Sequence, residues 1–159
     1  MKDNYLIIVG VDGSEGGRRA LDWAATEAVT RGGAVQALVA WRWDGIDIDP
    51  GTATNLDEQR RHAQAILDRE MAGLAARHGS SHPVAGEVVE GRAAEALTAA
   101  ARSADLLVLG SHGHGRLHHT VLGSVSEECI RKAPCPVLVV PVPAPAPSVS
   151  VSAEAAVPA

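Results

Sequence analysis

Short apolar runs alternate along the chain with longer segments whose apolar residues recur every three or four positions. Tyr5-Leu-Ile-Ile-Val-Gly-Val11 is continuous and rich in β-branched residues, and Asp12-Gly13-Ser14 stops it, which predicts a strand covered on both faces. Leu21, Ala24, Ala25 and Ala28 then fall at i, i+3, i+4 and i+7, so residues 15 to 31 read as a helix ended by Gly32-Gly33. Ala34 to Trp41 is a second strand. From Leu56 to about His78, Ala63, Leu67, Met71 and Leu74 keep a helical period, and Gly79-Ser80-Ser81 stops it. Pro83 to Glu90 is a half-polar third strand. Leu97, Ala100, Ala101 and Ala104 predict a third helix, followed by strand four at Leu106 to Leu109. Val125 to Lys132 is a short helix with Glu127–Arg131 and Glu128–Lys132 as favourable i, i+4 pairs, and Val137 to Val140, between Pro136 and Pro141, is strand five. Strands alternating with helices in this way imply right-handed parallel crossovers: an α/β, doubly wound, five-stranded parallel sheet with helices on both faces.

Composition narrows the class. The 159 residues, 46% apolar and 21% charged, suit one globular unit. Residues 142–159 are Pro, Ala, Ser and Val with Glu154 as their only charge, a composition with little to bury, so the expected organisation is a domain over 1–141 and a disordered tail. No apolar run approaches the ~18 residues of a membrane helix, and no long apolar stretch precedes a small-residue cleavage site, so no membrane is expected and the reading is cytoplasmic. Fourteen basic residues against nineteen acidic ones give a net charge of −5, the arginines are scattered, and aromatics are only 3%. Such a surface argues against a nucleic-acid partner. Cys129 and Cys135 lack Cys-x-x-Cys spacing and read as buried free thiols.

In an open parallel sheet, ligands bind beyond the carboxyl ends of the strands, so the residues just after strands carry the information. These are Asp12-Gly13-Ser14, Ala40-Trp41 and, richest of all, Gly110-Ser111-His112-Gly113-His114-Gly115-Arg116. The last segment runs on to Gly123-Ser124-Val125-Ser126, where the next helix begins. Gly110 and Gly113 would let backbone amides approach an anion, while the unpaired N–H groups and the dipole of a helix start favour phosphate. Ser124-x-x-Glu127 also reads as a plain capping box, and both readings can hold together. No Gly-x4-Gly-Lys-[Ser/Thr] is present, and the first turn, Val11 to Gly17, lacks Gly-x-Gly-x-x-Gly, so neither a P-loop nor a dinucleotide fingerprint is available.

The spacing Gly-x2-Gly-x9-Gly-Ser, formed by Gly110, Gly113, Gly123 and Ser124, resembles that of the universal stress protein family. Val-Leu-Gly-Ser-His-Gly, Leu-Gly-Ser-Val-Ser and Ala-Pro-Cys-Pro-Val-Leu-Val-Val around it extend the likeness over residues 4 to 141. The resemblance implies an adenine nucleotide alpha hydrolase-like sheet of order 3-2-1-4-5, usually a homodimer, binding ATP or a related adenine nucleotide with Mg²⁺ as a regulatory, stress-response module. It implies Asp12 facing the ribose or Mg²⁺, Val11 and Ala40 lining the adenine pocket, and Gly110, His112 and Gly113 bordering ribose and phosphates. Gly123, Ser124, Val125 and Ser126 would hold the phosphate tail.

Other chemistries have weaker warrants. His112, His114, His118 and His119 fall within eight residues and could in principle ligate Zn²⁺, but loop imidazoles seldom supply the three or four fixed donors required. Asp44, Asp47 and Asp49 lack the alternation and terminal Glu of a calcium hand. His112-Gly113-His114 has neither the spacing nor the position of a nucleotidyltransferase His-x-x-His. His112 is the only nearby candidate for a general base, so slow or no turnover is expected; the alternatives are a slow ATPase or phosphotransferase in the same pocket, or a scaffold whose pocket stays empty. A fifth strand at the sheet edge would expose backbone and apolar side chains that a second copy could cover, which favours a homodimer through that strand.

Overall fold

The computed structural model describes residues 4–42, 56–113 and 122–143. Its elements are β1 (Leu6–Gly10), α1 (Glu15–Arg31), β2 (Ala34–Trp41), α2 (Leu56–His78), β3 (Val84–Glu90), α3 (Ala93–Ala100), β4 (Leu106–Gly110), α4 (Ser124–Lys132) and β5 (Val137–Val140). The strands pair in parallel in the order β3-β2-β1-β4-β5. The expected architecture and strand order are both observed, with β3 and β5 at the edges.

Alternation within the central strands divides the core into two layers. Ile7 and Val9 of β1 join Leu106 and Val108 of β4 under α1 and α2, while Ile8, Leu107 and Leu109 face α3 and α4. On α1, Ala20, Leu21, Ala24, Ala25 and Ala28 are all 0% exposed, so a mostly small-residue stripe lies directly on the sheet. The helix starts at Ser14, whose side chain accepts from Gly17 N–H, and ends at Gly32, left-handed at φ 61°. Its first turn nearly touches β4: a Cβ on Gly110 would lie 2.4 Å from the Gly16 carbonyl carbon.

Four local expectations are corrected. On α2 the buried positions are Ala63, Leu67, Glu70 and Leu74, with Met71 only partly buried. Glu70 is closed to solvent because Arg18 reaches it from α1, Nε to Oε2 at 3.2 Å and Nη2 to Oε1 at 3.3 Å. The third helix stops at Ala100, and Ala101–Ser103 tightens into a 3₁₀ turn that still buries Ala101 and Ala104. Ser124 is not the cap of α4: Gly123 is, in extended conformation (φ −73°, ψ 160°), its N–H bonded to Ser111 O at 2.6 Å and its carbonyl accepting from Glu127 N–H. Because that bond delivers the chain to the helix one residue early, Ser124 is already helical. Finally, Cys129 is buried but Cys135 is only partly so, and both thiols are free. Of the anticipated i, i+4 pairs, Lys132 meets Glu128 at 2.8 Å, and Arg92 of the α3 cap also reaches Glu128 at 3.3 Å, which joins α3 to α4.

Candidate functional site

A cleft of about 590 Å³ opens beyond the carboxyl ends of β1, β2 and β4, between the start of α3 and the start of α4. That volume lies inside the range of about 300–1,000 Å³ usual for small-molecule sites. All ten residues singled out from the sequence line it: Val11, Asp12, Ala40, Gly110, His112, Gly113, Gly123, Ser124, Val125 and Ser126. The topology explains the convergence, because β1 and β4 are neighbours whose outgoing connections lead to opposite faces of the sheet.

One wall is the turn after β1. Asp12 Oδ1 accepts both the N–H of Ser14, at 3.0 Å, and its hydroxyl, and Ser14 Oγ in turn accepts from Gly17 N–H at 3.2 Å. This locks the carboxylate at the mouth of α1. Its Oδ2 lies where Gly113 passes, since a Cβ on Gly113 would come within 2.6 Å of it. Glycine at 113 therefore keeps the carboxylate and the loop after β4 in close approach.

The opposite wall is the start of α4. The Gly123 cap supplies no side-chain acceptor, so the first-turn amides of the helix are left to other partners, and Ser124, Val125 and Ser126 line the cleft at that place. Ser126 is 4% exposed, and its hydroxyl donates to Gly110 O at 2.7 Å, which ties α4 back to the end of β4. With that proton engaged, Ser126 offers the cleft its backbone N–H. Uncapped amides with a positive dipole end face the Asp12 turn, an arrangement that suits an anionic group accompanied by a cation or a hydroxyl.

Sequence reasoning followed the turns after strands one, two and four and passed over the one after strand three. The cleft's apolar side comes from there: Ala93, Ala96 and Leu97 of α3, with Leu38 and Leu109 behind them. Ala93, Ala96 and Leu97 share one helical face, and that spacing was the available signal. A smaller cavity of about 270 Å³ adjoins the cleft, sharing Ala40, Ala93, Ser124 and Val125 and adding Arg42, Arg92 and Glu128. His114, His118, His119, Asp44, Asp47 and Asp49 lie outside the described residues. Among the described residues, no group of three or more His, Cys, Asp or Glu is placed to hold a metal ion, and no helix is long and apolar enough to cross a membrane.

The family model for the universal stress protein family matches residues 6–141. The chain belongs to that family. A universal stress protein of Mycobacterium tuberculosis strain H37Rv is 33% identical over 133 residues, covering 84% of this chain and 44% of the relative. One from Mycolicibacterium smegmatis is 34% identical over 135 residues, with the same coverage of 84% and 44%. The chain thus spans less than half the length of these curated relatives. Among solved structures, a family protein from Burkholderia pseudomallei is 30% identical, with a TM-score of 0.65, covering 89% of this chain and 99% of that one. A universal stress protein in complex with cAMP is 27% identical, with a TM-score of 0.64 and coverage of 86% and 96%.

Proposed function

We propose that this chain binds an adenine nucleotide, ATP foremost, and acts as a nucleotide-dependent regulatory module in the stress response. The observation that carries this reading is an uncapped helix start facing a fixed carboxylate across a cleft of nucleotide size. The cAMP complex of a relative at 27% identity supports the adenine-nucleotide class.

In this reading the adenine lies between Val11, Ala40 and the small residues Ala93 and Ala96. The ribose and phosphates pass Gly110, His112 and Gly113, and the phosphate tail meets the amides of Ser124, Val125 and Ser126. Asp12 faces the ribose or a Mg²⁺ ion. The donor set fits Mg²⁺, which is commonly held by one or two carboxylates together with substrate phosphates, and the ion would offset phosphate charge. Turnover is slow or absent, so bound nucleotide serves as a switch. The protein works in the cytoplasm as a homodimer through β5, without nucleic-acid or membrane partners.

Calorimetric titration with ATP, ADP and cAMP, with and without Mg²⁺, tests the reading. Gly123→Glu puts a carboxylate where the phosphates would sit and should weaken ATP binding at least about tenfold, a cost of ~1.4 kcal/mol. The fold tolerates the change, because Gly123 is extended and a Cβ there meets nothing nearer than 3.4 Å. Unchanged affinity in this variant would remove the proposed site.

A further inference from the structure

Ser111, directly after β4, joins three parts of the molecule. It is 6% exposed, its N–H donates to Val140 O at 2.9 Å, and its carbonyl accepts from Gly123 N–H. Its hydroxyl oxygen accepts from Val142 N–H at 3.1 Å and stands 3.0 Å from His112 Nδ1. The segment leaving β5 is held in the same place: Arg19 Nε donates to Pro141 O at 3.1 Å, and a Cβ on Gly16 would lie 3.4 Å from a Val142 methyl.

Proton counting fixes the direction of the Ser111–His112 bond. A hydroxyl has one proton to give, and Val142 N–H already occupies one of its lone pairs. Were Nδ1 also a donor, the Ser111 oxygen would accept twice and its own proton would need an acceptor in a nearly closed site. An orphaned buried donor of this kind costs ~1–3 kcal/mol. With the hydroxyl donating to a bare Nδ1, the Ser111 proton has its acceptor, and the single proton of the neutral imidazole then resides on Nε2.

We infer that Ser111 is a positioning residue that sets His112 as an Nε2–H donor toward an acceptor oxygen of the ligand, a phosphate or ribose oxygen, and that Val142 N–H commits Ser111 to this role. The donor role rests on the nucleotide reading; the tautomer does not. The segment following β5 thereby belongs to the site. Val142 N–H, the Ser111 hydroxyl and the His112 imidazole all donate in one direction, and each bond polarises the next.

The test uses the full chain with ¹⁵N-labelled histidine, in alkaline buffer where imidazoles are neutral, with His112→Asn assigning the signal. The ligand-free protein should show an unprotonated Nδ1 and a protonated Nε2 at His112. Ser111→Ala, and independently Val142→Pro, should shift that signal toward a mixture of tautomers, while Ser111→Thr should keep it. The Val142→Pro change removes the N–H from a residue that Pro143 already restricts to extended backbone, so this second variant remains informative if Ser111→Ala folds poorly. In calorimetry, Ser111→Ala should lose about tenfold in ATP affinity, corresponding to one charge-assisted hydrogen bond, and Ser111→Thr should recover most of it. An Nδ1–H tautomer in the wild type, or a tautomer indifferent to both variants, would overturn the relay even if nucleotide binds normally. The expected tautomer in a wild-type protein that takes up no nucleotide would overturn the nucleotide reading and the donor role together.

Discussion

Cys129 is 0% exposed among Leu97, Leu107 and Leu109, and burial, helped by the charge of Glu128, pushes its thiol from an ordinary 9.0 up to about 11. The native state therefore keeps a proton that the unfolded chain gives up. The corresponding stability is fully present below pH 9 and is lost as the pH rises toward 11. Urea midpoints measured across that interval should fall more steeply for the wild type than for Cys129→Ala, and parallel curves would show that the thiol stays accessible to hydroxide. At this scale the sequence was legible wherever a residue acts through its own size or charge, as with the buried alanines of α1 or the cleft position of Asp12. It was not legible where a partner distant in sequence decides. Glu70 occupies a position that the helical period reserves for an apolar group, and only the arrival of Arg18 from 52 residues away makes that burial tolerable.

Between elements, the contact of α1 with β4 is set by two glycines. A methyl group on Gly110 would sit 2.4 to 2.7 Å from Gly16 backbone atoms, none of which can swing aside, so Gly110→Ala should cost ~1–3 kcal/mol in chemical denaturation and displace the loop that follows β4. Gly32→Ala is the contrasting case. Nothing lies within 4 Å of a Cβ there, and only the left-handed backbone resists, at ~1–2 kcal/mol, so its penalty should appear without any effect on ligand uptake. If Gly110→Ala is as stable as wild type, the close approach is not a constraint. Element types followed from apolar periodicity, and most boundaries fell within one residue of expectation, because Gly and Pro punctuate this chain plainly. The cap of α4 escaped since the choice between Gly123 and Ser124 depends on a backbone bond to Ser111, twelve residues away, that no local pattern encodes. The apolar side of the cleft escaped because Ala93, Ala96 and Leu97 look like ordinary core residues in the chain.

For the whole molecule, the strand order follows once five parallel strands are joined by right-handed crossovers and the family likeness supplies the reversal after strand three. The assembly proposal depends on β5, where Val137, Leu138 and Val139 remain partly exposed at an edge that carries no charged side chain. Light scattering at micromolar concentration should give twice the 16.4 kDa chain mass, and Val139→Lys should bring it down to one chain; a wild type at 16.4 kDa would dispose of the dimer. The opposite border is built differently. Glu87 and Glu90 are exposed on β3, placing negative charges along the remaining free backbone. In the dimer proposed above, a molecule with one adhesive rim and one repellent rim would add a neighbour on a single side, so strand-to-strand growth would terminate at a closed pair instead of running on into a filament.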